Sequence, residues 1–206
     1  LKGRGLDLEA AEEAPAQPEP VRKPWRTPQF LQDRPLTGRE KGIATHLFMQ
    51  FVRYESCTTR EGIRQELARL QAEKFLTPRQ CEAVDTEKIL ALFSSRLGTR
   101  ILGAKNLRRE FKFSILTDAA AYDPAAAGEQ IMLQGVVDCF WQEVDGIVIL
   151  DFKTDYIDGD LDRKTARYAP QLRAYAKALS RIYGLPVKKT ILYFFSAGRA
   201  AEIDPE

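Results

Sequence analysis

The sequence predicts an α/β fold, a central mixed β-sheet flanked by helices with a helical N-terminal half. Three observations carry this reading. Capped, helically periodic segments fill the stretch from Thr37 to about Leu97. Three short segments rich in β-branched and aromatic residues follow, and an amphipathic helix with one more strand closes the order. At 206 residues, 44% of them hydrophobic, the chain has material for one sizeable core, and nothing in its length demands a second domain.

Residues 1–35 are crowded with Ala, Glu, Gln and Pro, as in "EAAEEAPAQPEP", a composition too polar to offset the entropy of ordering it. This stretch reads as a flexible interdomain linker, and composition alone admits a terminal tail equally well. The folded domain is assigned to 36–206. Its first helix opens at Thr37, where Thr37 and Glu40 make the T-x-x-E capping box and Ile43, Leu47, Phe51 and Tyr54 recur at helical spacing. A second helix follows Thr59 in "REGIRQELARLQAEKF". Thr77 repeats the start signal with Pro78 at the first helical position, and a further helical stretch is expected over about 86–97. Strands are expected in "NLRREFKFSIL", "QIMLQGVVDCFWQ" and "GIVILDFKT". In "YAPQLRAYAKALSRIYG" Leu172, Tyr175, Ala176, Leu179 and Ile182 form one apolar stripe stopped by Gly184 and Pro186, and "KKTILYFF" is the last strand.

Composition narrows the function. Lys2 and Arg4 are outnumbered by Asp7, Glu9, Glu12, Glu13 and Glu19, so the chain's net +2 leaves a mildly basic body, compatible with nucleic acid. Cys57, Cys81 and Cys139 form no CxxC pair and read as reduced thiols, which argues against a cysteine-held zinc or iron–sulfur cluster. No apolar run reaches the roughly 18 residues of a membrane span, so no membrane role is expected, and no secretory leader opens the chain. The start at Leu1 suggests a piece of something larger. No G-x-x-x-x-G-K-[ST] occurs, so this chain carries no ATP site of that kind.

The chemistry-bearing residues gather in "QGVVDCFWQEVDGIVILDFKTDYID". Asp145-Gly146 is the strongest hairpin turn signal in the chain. A turn there pairs Val144 with Ile147, sets Asp138 opposite Lys153 and Phe140 opposite Asp151, and points Asp138, Asp151 and Lys153 to one face. A three-residue loop would reverse that parity. Two carboxylates diagonal across a strand pair have Cα atoms on the order of 7–8 Å apart, a gap a cation can fill. Oxygen ligands favour Mg²⁺ or Mn²⁺. The bland alternative is a surface Asp–Lys pair. Against it stands the nearly all-apolar "GIVIL" just ahead of the charges, as in a strand covered on both faces. His46, the single histidine, lies beside the apolar stripe of the first helix, and a structural role is open for it as well as a ligand role. Gln171 and Tyr175 share a helical face, with Tyr168 just ahead, and simple packing is open for Tyr175.

Taken in order, G-x-x-x-H at Gly42–His46, R-E-F at 109–111, G-V-V-D at 135–138, D-F-K-T at 151–154 and Y-x-x-Q-L-x-x-Y at 168–175 resemble the RecB-like branch of the PD-(D/E)XK nucleases. "EKGIATHLFMQF" is most similar to the C-terminal nuclease domains of AddA-type helicase–nucleases. The resemblance covers roughly residues 36–196, and Val137 stands where the family name has proline. It implies a restriction-endonuclease-like core, with three antiparallel strands, a crossover helix and a fourth strand. It further implies a metal-dependent deoxyribonuclease, an exonuclease in double-strand-break end processing and recombinational repair, acting on the 3′-terminated strand. Carried over by position, His46, Asp138 and Asp151 bind Mg²⁺ or Mn²⁺ with the carbonyl of Phe152, Lys153 is the catalytic lysine, and Gln171 with Tyr175 supports the site. The implied partners are DNA, helicase domains of the same full-length chain and a second nuclease subunit of AddB type, in the bacterial cytoplasm.

Asp138 and Asp151 favour the charged form of Lys153, so we read it as a cation that orients water and stabilises the transition state, not as a general base. The stretch 160–189 holds Arg163, Lys164, Arg167, Arg173, Lys177, Arg181, Lys188 and Lys189 against Asp160 and Asp162. A DNA-backbone track and a solvated helix face both fit this stretch. Lys164, Arg167, Tyr168 and Arg173 are the candidate DNA contacts. Two other readings stay open. One is a stand-alone Cas4-like exonuclease, which three scattered cysteines disfavour because that family holds its cluster with four. The other is an inactive nuclease fold that only binds DNA or a partner subunit, which the retained Asp138, Asp151 and Lys153 disfavour.

Overall fold

The computed structural model describes residues 35–121, 123–157 and 159–205. The linker assigned to 1–35 lies outside them, apart from its last residue. Six α-helices and a five-stranded sheet lie among the described residues: α1 (Gly38–Phe51), α2 (Arg60–Ala72), α3 (Pro78–Ala83), α4 (Thr86–Phe93), α5 (Arg96–Gly103), β1 (Arg108–Asp118), β2 (Gln130–Glu143), β3 (Gly146–Lys153), α6 (Leu161–Tyr183), β4 (Val187–Phe194) and β5 (Arg199–Ile203). The strands lie in sequence order. All neighbours are antiparallel except β3 and β4, which run parallel and are joined by the crossover helix α6.

Local chemistry explains the helix boundaries. Thr37 and Glu40 close the expected capping box, the Thr37 hydroxyl accepting from Glu40 N at 3.2 Å and the Glu40 carboxylate from Thr37 N at 2.7 Å. Thr77 and Gln80 repeat the motif ahead of α3. The single helix expected over 86–97 is two, because Ser95 caps a fresh start through Gly98 N. Helix α6 begins at Leu161, well before the expected start at Tyr168, capped by Asp160 and running through Pro170. It stops at Gly184, whose φ of 65° suits a residue without a Cβ.

Two helical layers sandwich the sheet. On one face the buried side chains of α1 to α5 pack against Cys139, Trp141, Val148, Leu150, Phe152, Ile191 and Tyr193. On the other, Tyr175, Ala176, Ala178 and Leu179 of α6 cover Phe113, Leu133, Val137, Phe140, Ile147 and Ile149. Strand β3 is buried along nearly its whole length, as "GIVIL" indicates. Each such side chain taken from water contributes about 1.5–3 kcal/mol, so the strand is a rigid base for the charges at its end.

Two expectations need correction. The apolar stripe of α1 is not its core face: Ala44, Phe48 and Met49 are buried, whereas Ile43 is 47% exposed and, with Leu47, faces a cavity. Tyr54 falls in the 3₁₀ turn Tyr54–Thr58, beyond the helix. The β2–β3 turn is Val144-Asp145, since Glu143 pairs with Gly146 and Phe140 with Ile149. Gly146 is required for a different reason from the one expected, because a Cβ there would lie 2.4 Å from the Pro186 carbonyl. The ladder is thus displaced by two residues, and its continuation sets Asp138 across from Asp151, not Lys153. A shift of two preserves parity, so the shared face of Asp138, Asp151 and Lys153 does not depend on it.

Candidate active site

The sheet changes sides at Glu110 and Asp138. Val137 and Phe140 both pack on the α6 side although three residues apart, and Cys139 and Trp141 pack on the other. On β1, Phe111 joins the α6 side, while Arg109, two residues earlier, reaches back to donate to the carbonyls of Met49 (3.1 Å) and Val52 (2.6 Å) at the end of α1. Pairing steps from Arg109↔Cys139 to Phe111↔Val137, leaving Glu110 and Asp138 between. Glu110 carries the break in its backbone, with φ of 49°, a conformation that strains a residue with a side chain.

The break, α1, the end of β3 and α6 enclose a cavity of about 760 Å³. It gathers His46, Asp138, Asp151, Phe152, Lys153, Gln171, Tyr175 and Tyr168, all of them expected from the sequence. Gly42 lets α1 come close enough: a Cβ there would lie 2.6 Å from Thr154 Oγ1. Glu110 joins the group without having been assigned a role, and its signal was the R-E-F motif, a carboxylate inside a strand pattern. Ligand atoms of His46, Glu110 and Asp138 all lie within 4.8 Å of one another.

Two contact systems meet here. His46 Nδ1 is 3.6 Å from Asp138 Oδ2, and that same oxygen accepts from Phe152 N at 2.8 Å. Lys153 Nζ is 3.0 Å from Asp151 Oδ2 and donates to Gln171 Oε1 at 3.1 Å, and Gln171 Nε2 donates to Tyr175 Oη at 2.8 Å. Gly135 makes room for that tyrosine, since a Cβ would sit 2.9 Å from its ring and 2.8 Å from Phe113.

The electrostatics are those of crowded acids. Burial, then the charge of Asp138, pushes the Asp151 carboxyl up to about 7, against the pull of Lys153 and His46. Burial and Asp138 likewise raise Glu110. Burial pulls His46 down, but its hydrogen bond to Asp138 and the charges of Asp138, Asp151 and Glu110 outweigh that and raise it. Asp151 Oδ2 has close charge contact with Lys153 yet no partner in hydrogen-bonding geometry. A buried carboxylate oxygen left open beside three further ligand groups suits a hard divalent cation.

Residues 21–205 match the PD-(D/E)XK nuclease superfamily. The chain belongs to that superfamily. It is 39% identical over 196 residues to the AddA subunit of the ATP-dependent helicase/nuclease of Bacillus cereus (strain Q1), covering 89% of this chain and 16% of that protein. Against the corresponding subunit of Clostridium novyi (strain NT) it is 37% identical over 185 residues, covering 86% of this chain and 15% of that protein. This nuclease domain therefore spans a small part of the curated relatives it matches. No helix among the described residues is long and apolar enough to cross a membrane.

The basic stretch of the nuclease domain divides. Arg163 pairs with Asp160, Lys164 with Asp155, Lys188 with Asp145 and Lys189 with Glu202, and Arg181 donates to the Leu116 carbonyl. Arg167, Arg173 and Lys177 are exposed without an ion-pair partner among the described residues. Of the candidate DNA contacts, Tyr168 lines the cavity, whereas Lys164, Arg167 and Arg173 do not.

Proposed function

We propose that this domain is a Mg²⁺- or Mn²⁺-dependent deoxyribonuclease, an exonuclease that hydrolyses phosphodiester bonds as part of a bacterial, cytoplasmic helicase–nuclease of the AddA kind. The observation that carries it is the meeting of His46, Glu110 and Asp138 with Asp151 and Lys153 in one cavity. Relatives that are ATP-dependent helicase/nuclease subunits support the wider setting: helicase domains in the same full-length chain, a second subunit of AddB type, and unwound DNA at double-strand breaks during recombinational repair, cut on the 3′-terminated strand.

His46, Asp138 and Asp151 hold the cation, with the Phe152 carbonyl and, from its place in the cluster, Glu110. When bound, a divalent ion supplies positive charge against the phosphoryl oxygens and makes water more acidic. The chain's own groups then have defined tasks. Phe152 N–H and His46 fix Asp138. Tyr175 orients the Gln171 amide, and Gln171 fixes the direction of the Lys153 ammonium. Water attacks phosphorus as the bond to the leaving sugar oxygen breaks, and Lys153 offsets the negative charge that builds on the phosphoryl group. Arg167, Arg173 and Lys177 are left to track the DNA backbone, a contact that weakens as salt rises.

The test is to incubate the domain with linear single-stranded DNA and Mg²⁺ or Mn²⁺, alongside Asp151→Ala. Metal-dependent cleavage by the parent and its loss in the variant are expected. No cleavage by the parent, or equal cleavage by both, would leave a DNA- or partner-binding module as the better reading.

A further inference from the structure

We propose that Tyr168 is a positioning residue for Lys153, its ring face holding the ammonium in place within the cavity, so that it acts on the reaction through the lysine and not as a DNA contact. The proposal rests on the role given to Lys153 above. Lysine ends in a flexible four-carbon stem, and a catalytic cation on such a stem is useful only if its direction is fixed. Lys153 is fixed from three sides. Asp151 Oδ2 lies 3.0 Å from Nζ, Gln171 Oε1 3.1 Å, and the centroid of the Tyr168 ring 4.0 Å, well inside the range of a cation–π contact.

The ring is itself held. Its hydroxyl donates to the Asp155 carboxylate, and its body packs against Phe194 with centroids 6.4 Å apart. Tyr168 and Gln171 lie three apart on α6, so a single helical face presents both the platform and the amide to the lysine. With its hydroxyl on Asp155 and its face on Lys153, the tyrosine already has a use for both of the groups with which it would grip DNA.

The experiment compares the parent chain with Tyr168→Phe and Tyr168→Leu on a labelled single-stranded oligonucleotide with Mn²⁺. The Leu variant is expected to lose about tenfold in kcat, with KM, Mn²⁺ affinity and salt dependence unchanged, and the Phe variant to restore most of that loss. Tyr168→Met, which also lacks a ring, replaces the Leu variant should that fail to fold. The Lys153 εCH₂ proton resonances give a readout independent of turnover: ring-current shifted upfield in the parent and Phe proteins, and unshifted in the Leu protein. A raised KM or altered salt dependence at unchanged kcat would make Tyr168 a DNA contact and overturn the proposal. So would a Phe variant as damaged as Leu, or unshifted lysine protons in the parent. A parent that cleaves nothing overturns the nuclease reading instead, and the lysine shifts still decide whether the ring holds Lys153.

Discussion

Replacing Asp151 by Asn is expected to stabilise the metal-free domain at alkaline pH while leaving its stability near pH 4 almost unchanged. Asp151 is 3% exposed, and burial with the charge of Asp138 moves its carboxyl from 3.8 to about 7. A carboxyl raised in the folded state binds more protons there than in the unfolded chain between those two values. Stability therefore falls as pH climbs through that window and stays low above it. Roughly three pKa units at about 1.36 kcal/mol each set a ceiling of about 4 kcal/mol. Asparagine keeps the shape and cannot ionise, so it recovers up to that amount at pH 8. Urea denaturation of both proteins in EDTA at pH 4 and pH 8 measures it, and saturating Mn²⁺ is expected to favour the parent, because the ion binds its folded state. An Asn variant no more stable than the parent at pH 8, or a gain independent of pH, would refute the reasoning.

Three further outcomes follow from the same geometry. Gly135→Ala places a methyl within 3 Å of the Phe113 and Tyr175 rings and is expected to cost about 1–3 kcal/mol in urea melts while lowering turnover by displacing Tyr175. Arg109→Leu removes the donor to the Met49 and Val52 carbonyls and the cation over the Tyr54 ring at 4.6 Å, with an expected loss of about 2–3 kcal/mol by the same measurement. Mn²⁺ affinity, followed by calorimetry, is expected to fall as pH drops below about 7, because Asp151, Glu110 and His46 are all raised and must shed protons to bind an ion.

Features set by short-range chemistry were legible in the sequence. The Thr37 and Thr77 caps, the buried run of β3 and the face of α6 follow from side-chain type and spacing alone. The shared face of the hairpin charges was legible too, because parity tolerates a two-residue slip that the turn residues alone did not exclude. Three things were not. Ile43 and Leu47 have the spacing of a core stripe, yet the helix turns them to the cavity, a choice made by tertiary packing. β5, "RAAEI", has little strand propensity and is held by its ladder to β4. Glu110 reaches the site through a strained backbone at a break in alternation, which no period of two encodes.

The most direct measurement of the central claim is anomalous diffraction from crystals of the domain soaked in Mn²⁺. A peak within about 2.5 Å of the Asp138 carboxylate, inside the cluster of His46, Glu110 and Asp138, is the expected result. Crystals saturated with Mn²⁺ that show no peak there, from protein that still cleaves DNA, would contradict it.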